Sequence, residues 1–341
     1  MYNLTIFIIT IFFTLSLYPQ TDFKSIEEVK KAANAGNAEA QYLLGYSYSY
    51  GRGINKDSKK AFEWYSKGAK QGYAPAQCNL GICYYYGNGT DVDHSKAVEW
   101  YSKGAKQDHP HSQFNLGVCY ESGNGIQKDL KQAFELYSKA AEKNYSLAQT
   151  NLGLLYAKGL GVEKNINKAI HYWIKAAEQN ETQACYYLGY IYSVGTEVEK
   201  DYVKAAKYYK ISADEGDSYS LNNLAYFYKN GTGVDKDPKK AFTLIIKAAN
   251  TGEAIAIDSL AEFYRDGVGT EQNYVLSYKY YKMAAERGYP NSQYELGVHY
   301  FNGWGITKDL TESKKWLNLA IKNGSEKAQK FWNEKIKVGE E

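Results

Sequence analysis

The stretch Ala38–Tyr73, AEAQYLLGYSYSYGRGINKDSKKAFEWYSKGAKQGY, decides the fold, because the rest of the chain reworks the same 36 residues. Sliding the chain against itself by 36 places aligns Leu44 with Leu80, Leu116, Leu152, Leu188, Leu224, Leu260 and Leu296. Tyr48 and Gly51 recur with the same period, as far as Tyr300 and Gly303. A fixed period of this size marks a repeat array, in which each copy is one supersecondary unit stacked on its neighbours. No copy needs an insertion, so the array is expected to be regular.

Each copy reads as two helices. Gln41, Leu44, Gly45 and Tyr48 lie three and four apart, on one face of a first helix expected from about Ala38 to Tyr50. Gly51 ends it, because glycine accepts the left-handed conformation at a helix C-terminus without steric penalty. After the GRGIN turn, Asp57 opens a second helix, and its column continues as Asp93, Asp129, Asn165, Asp201, Asp237, Asn273 and Asp309. Every one of these side chains can accept from free backbone N–H groups, which defines an N-cap column. Pro238 directly after Asp237 agrees, since proline is tolerated at the first helical position.

The second helix, expected over Ser58 to Gln71, turns Ala61, Phe62, Tyr65, Gly68 and Ala69 inward. The Gly68 column holds only glycine, alanine or serine, and the Gly45 column only glycine or alanine. A mid-helix glycine costs roughly 0.5–1 kcal/mol against alanine. Its recurrence therefore predicts a place where two helices approach closely, with Leu, Tyr and Trp filling the space beside it.

These residues resemble the Sel-one-like repeat family, relatives of the tetratricopeptide repeats with a slightly longer unit. The signature stands as AEAQYLLGYSYSYGRG with DSKKAFEWYSKGA, and again as QTNLGLLYAKGLG with NINKAIHYWIKAA. The resemblance covers about Asn37 to Ser325, eight units, and implies an all-α, right-handed α/α superhelical solenoid. Later copies drift: Glu197 replaces the second loop glycine, Ala225 and Ala261 the helix glycine, Ser277 and Ser313 the helix alanine.

The ends differ from the middle. Residues 1–20, MYNLTIFIITIFFTLSLYPQ, contain an uncharged run from Leu4 to Leu17. Fourteen residues fit the apolar part of a secretory signal and fall short of the roughly 20 needed to span a bilayer. A cleaved signal is the expectation, with an uncleaved N-terminal anchor as the alternative; Thr14 and Ser16 offer a cut before Leu17. The protein is thus expected to be exported: secreted, periplasmic or lumenal. Residues 24–36 match the second half of a unit and read as an N-terminal capping helix; residues 326–337 read as a C-terminal one, and 338–341 as a frayed, disordered tail. A solenoid needs such half-units with a polar outer face to close its ends.

Composition excludes several function classes. Forty-one basic and 38 acidic residues give a net charge of +3, too weak a field to make nucleic acid or an anionic membrane the main partner. Membrane contact would come only through an uncleaved leader. The five histidines form no metal site: His109 and His111 lie close, but no third ligand sits at a matching spacing. Gly-x-Gly pairs such as Gly51/Gly53 lack the strand, third glycine and lysine of a phosphate loop, so they read as turns. No cofactor and no catalytic constellation is expected. Sequons at Asn88, Asn144, Asn180, Asn230 and Asn323 fall in turns and matter only in a eukaryotic secretory host.

A secreted branch of the resembled family joins the two helices of each unit by a disulfide. Here Cys78, Cys83, Cys119 and Cys185 all fall in first helices. Cys78 and Cys83 point about 140° apart on one helix, and Cys83 and Cys119 lie one repeat apart, so four free, buried thiols are expected. A hydrolase of lactams or cell walls, linked to that branch, is thereby disfavoured. A second alternative is a lumenal client-recruiting adaptor of the endoplasmic-reticulum degradation ubiquitin ligase.

Function must come from what varies between copies. First-helix positions 42, 46, 49 and 50 and their equivalents line, by the resemblance, the concave surface. They hold Tyr42, Tyr46, Tyr50, Tyr85 and Tyr86 early, Tyr186, Tyr190 and Tyr226 in the middle, then Asp258, Glu262, Arg265 and Asp266, and finally Tyr294 and Phe301. Tyrosine offers rigid area plus a hydroxyl, a combination enriched in recognition sites. The expectation is a non-enzymatic scaffold holding a peptide or protein partner through Tyr42, Tyr46, Tyr50, Tyr85, Tyr86, Tyr186, Tyr190, Tyr226 and Phe301. In the plainer reading, some of these rings only pack on the next repeat.

Overall fold

The computed structural model describes Phe23 and residues 25–336, and the leader and the last five residues lie outside them. The described chain is all-α, without strands among the described residues, and belongs to the α/α solenoid class. It divides into two compact units that meet at Lys143 and Asn144. The first unit holds α1 (Ile26–Asn34), α2 (Ala38–Tyr50), α3 (Ser58–Lys70), α4 (Ala74–Tyr86), α5 (His94–Lys106), α6 (Pro110–Ser122) and α7 (Leu130–Glu142). The second holds α8 (Ser146–Lys158), α9 (Ile166–Ala177), α10 (Thr182–Val194), α11 (Tyr202–Asp214), α12 (Ser218–Asn230), α13 (Pro238–Ala249), α14 (Ala254–Asp266), α15 (Tyr274–Glu286), α16 (Pro290–Asn302), α17 (Leu310–Lys322) and α18 (Glu326–Phe331). Within each unit an even-numbered helix pairs with the odd-numbered helix after it, and successive hairpins stack.

One local device closes every hairpin. Each N-cap residue accepts through its side chain, as when Asp57 Oδ1 accepts from the Lys60 N–H at 3.0 Å. Its own N–H reaches back to the tyrosine carbonyl nine residues earlier, from Asp57 to Tyr48 at 2.9 Å through to Asp309 to Tyr300 at 3.0 Å. The side chain thus caps the second helix while the backbone N–H of the same residue ties it to the first, and Asp or Asn fills this role in every copy.

Close approach explains the small residues. A Cβ added at Gly189 would lie 2.5 Å from the buried Tyr209 ring, and one at Gly81 2.5 Å from Tyr101. Where alanine replaces the glycine, Ala225 faces the smaller Ile245 and Ala261 still faces Tyr281, all four buried. Stacking between hairpins uses a second glycine. At Gly89 a Cβ would sit 2.1 Å from the Ser58 carbonyl oxygen of the preceding hairpin. Glu197 occupies that place in α10's loop without a left-handed backbone, and instead pairs with Lys164 of the neighbouring loop at 3.0 Å.

The Leu column is buried throughout. The Tyr48 column is mostly half-buried: one face lies on the second helix, and at Tyr48, Tyr84, Tyr156, Tyr192 and Tyr228 the other is roofed by a lysine, as with Lys240 Nζ 4.1 Å from the Tyr228 centroid. Past Phe331 the helix widens into a π-helical turn, Trp332–Ile336, in place of the α-helix expected to 337. That turn sets Ile336 among Leu317, Ala320 and Ala328.

Candidate functional site

The first-helix strip is built by the same packing. At Ser49, Glu121, Ser193 and Arg265, this position meets the hydroxyl of the buried second-helix tyrosine, which needs a partner once desolvated. Ser49 Oγ lies 3.2 Å from the Tyr65 hydroxyl, Glu121 Oε2 accepts from Tyr137 at 2.7 Å, and Arg265 Nη1 donates to Tyr281 at 3.2 Å. In those four copies the position serves the core before it can serve a partner, whereas Tyr85 occupies it in another copy with its hydroxyl accepting from Asn124. The sequence reading missed that role, although the pairing of a polar residue at 49 with a tyrosine at 65 was visible in it.

In the first unit the strip is aromatic. Tyr50 and Tyr86 are the exposed rings, at 52% and 47% of their full accessibility. Tyr42, Tyr46 and Tyr85 are half-buried. Tyr42 leans on Tyr65 and Tyr73, with centroids 6.1 and 5.6 Å away, and Tyr46 packs at a tilt against Tyr50 at 4.6 Å. The Arg52 guanidinium covers the Tyr46 ring at 5.0 Å. Asn124 Nδ2 donates to the Tyr85 hydroxyl at 2.8 Å. Burial, helped by neighbouring phenols, raises the pKa of Tyr42, Tyr50 and Tyr86, so these hydroxyls stay protonated donors.

The second unit begins similarly and then changes. Tyr190 is exposed, while Tyr186 is half-buried among Tyr187, Tyr190, Tyr209 and Tyr219. Tyr226 donates to Glu262 Oε2 at 2.9 Å, and Lys229 pairs with the same carboxylate at 2.6 Å. Arg265 bridges Asp266 at 2.8 Å and Glu295 at 3.0 Å. Asp258, expected on the strip, is instead buried at 6% exposure, accepting from Ser292 Oγ at 2.5 Å and from Asn291 Nδ2 at 3.0 Å. Burial pushes its carboxyl up to about 6, against the hydrogen bonds that favour the ionised form. Phe301 meets Phe331 edge-on at 5.3 Å and lies under Lys308, so half of it is covered.

The remaining chemical candidates are structural. Cys78, Cys83, Cys119 and Cys185 are free and buried, and desolvation raises all four thiols, Cys78 to about 11. His299 is enclosed, with Nδ1 donating to the Glu295 carbonyl at 2.9 Å and Nε2 accepting from Ser277 Oγ at 3.1 Å. Burial lowers its pKa to about 4. Ser277 is the serine that replaces the helix alanine, so the two departures from the repeat pattern answer each other. His109 and His111 stack at 5.3 Å. Among the described residues no three His, Cys, Asp or Glu side chains gather to hold a metal ion. No helix there is long and apolar enough to cross a membrane.

A run of helical hairpins at a 36-residue period, with a variable first-helix strip, defines an α/α repeat protein of the solenoid class. The chain belongs to the Sel1 repeat family: eight Sel1 repeats match, at 38–73, 74–109, 110–145, 146–181, 182–217, 218–252, 254–289 and 290–325. It is similar to a protective antigen of uropathogenic Escherichia coli strains that displays an SLR fold, at 34% identity and a TM-score of 0.76 over 89% of this chain. The chain spans 66% of that protein's length. It is also similar to a Sel1 repeat protein from Oxalobacter formigenes, at 32% identity and a TM-score of 0.64, over 72% of this chain and 96% of the other. No curated protein matches. Sel1-repeat proteins are generally protein-interaction scaffolds.

Proposed function

We propose that this protein is a non-enzymatic scaffold that holds a protein or peptide partner against its first-helix strip, with Tyr42, Tyr46, Tyr50, Tyr85 and Tyr86 as the main contact. The supporting observation is that the stacking columns repeat while the strip varies, and in the first unit it presents tyrosines whose exposure the fold does not require. In the second unit the exposed Tyr190 extends the strip by the same reasoning, and Tyr186, Tyr226 and Phe301 would join it only through the parts of their rings left open by Tyr187, Glu262 and Phe331. The apolar leader favours export, which N-terminal sequencing of the mature protein tests.

The surface is tested by placing a photo-crosslinking amino acid at Tyr50 and, as a control, at the exposed Glu63 of α3. A partner captured at Tyr50 and absent at Glu63 supports the reading. Equal capture at both positions, or capture undiminished when Tyr46, Tyr50, Tyr85 and Tyr86 are all changed to Ser with circular dichroism intact, overturns it.

A further inference from the structure

Charge separates the strip of the first unit from that of the second. On α2 and α4 no carboxylate occupies the strip positions, and Arg52 beside them is half-buried with no ion-pair partner among the described residues. Its guanidinium lies over the face of Tyr46 and acts on Tyr50, and its edge hydrogens make no hydrogen bond among the described residues. The hydroxyls of Tyr42, Tyr46, Tyr50 and Tyr86 likewise make no hydrogen bond among the described residues. The Arg52 end of the surface is thus rich in donors; the carboxylate of Glu39 lies at the opposite end of α2, facing Tyr73. In the second unit, by contrast, Lys229 and Arg265 are both neutralised within the fold.

Resting on the scaffold reading above, we propose that the α2–α4 strip selects an extended acidic peptide segment of another protein, with a carboxylate placed on Arg52 and backbone carbonyls on the tyrosine hydroxyls. Guanidinium and carboxylate match in fork geometry, and the rings around Arg52 keep water from one side of the pair. An extended chain suits the site because its carbonyls are free to accept from successive phenols. A basic partner would bring like charge onto Arg52 and is disfavoured.

Selection from a random 12-residue peptide display library, using the whole protein at low salt, tests this. Wild-type selections are expected to be enriched in Asp and Glu by about threefold, the scale of one partly exposed ion pair, and to lose the enrichment at high salt. Arg52→Glu is expected to abolish it and favour Lys and Arg instead. Selections without acidic enrichment, or the same acidic sequences returned by Arg52→Glu, overturn the proposal while leaving the tyrosine strip as a docking surface. Acidic enrichment that survives the fourfold tyrosine-to-serine variant places binding elsewhere and overturns both.

Discussion

The α2–α4 strip and the α12–α14–α16 strip occupy the same positions of the same repeat and have opposite characters. In the first, Tyr50 and Tyr86 lie open and Arg52 has no ion-pair partner among the described residues. In the second, Asp258, Glu262, Arg265 and Glu295 hold neighbouring repeats together through Ser292, Asn291, Tyr226 and Lys229. The lesson is that variation between copies does not by itself mark a binding site. A variable residue whose polar groups are satisfied inside the array has been used by stacking; one left unsatisfied is available to another molecule.

The contrast is broken most directly by removing a locked charge. Arg265→Ala leaves Glu295, half-enclosed, and the Tyr281 hydroxyl without their donor. Removing one partner of a buried pair costs about 3–5 kcal/mol, and with Arg265 partly exposed the lower end is expected in chemical denaturation. An unchanged midpoint would show that the cluster is a solvated surface like any other. A smaller effect tests the glycine column. Gly189→Ala forces a methyl toward Tyr209 and is expected to cost about 1–3 kcal/mol by overpacking. Combining it with Tyr209→Ile, which copies the Ala225–Ile245 pair, is expected to cost less than the sum of the two single changes. Strict additivity would mean that the two positions do not constrain each other.

Asp258 and His299 sharpen the comparison through pH. The folded Asp258 binds its proton more tightly than an unfolded aspartate, so its contribution to stability grows as pH falls through about 6. His299 is held neutral, with its folded pKa lowered to about 4, so its contribution is full above the ordinary histidine value and is lost as pH falls toward 4. The two oppose each other in the same window. Arg265, Glu262 and Glu295 on α14 and α16, with Tyr226 and Lys229 on α12 and Tyr274 and Tyr281 on α15, are charged and titratable groups facing them. Relative to wild type, Asp258→Asn is therefore expected to lose stability on going from pH 7 to 5, and His299→Phe to gain it, each by about 1 kcal/mol, the scale of one pKa unit. Identical pH profiles for all three proteins would remove both groups from the accounting.

The fold was legible because its causes are local and repeated. The Asp57 column, the glycine at 51 and the Leu44 column each encode one backbone requirement, met in copy after copy. The strip was legible only in part. Tyr50 and Tyr86 could be named from the period, but the burial of Asp258 depends on Asn291 and Ser292 one repeat later, a pairing that occurs once. A single copy carries no periodicity to reveal such a match. The covering of Phe301 by Phe331 comes from the terminal half-unit, which departs from the repeat that made the rest readable.

The smallest expected effect bears most directly on function. Tyr50→Ser and Tyr86→Ser remove rings that are about half exposed and whose hydroxyls bond to nothing among the described residues. Surface substitutions away from caps, cores and networks usually change stability within about 0.5 kcal/mol, and each of these should stay close to that bound in thermal unfolding. The same change at Tyr65, enclosed against Gly45, is expected to cost several times more. A loss at Tyr50 comparable to that at Tyr65 would mean that the ring is packing for the next repeat, and the first unit would then resemble the second: a strip consumed by its own stack.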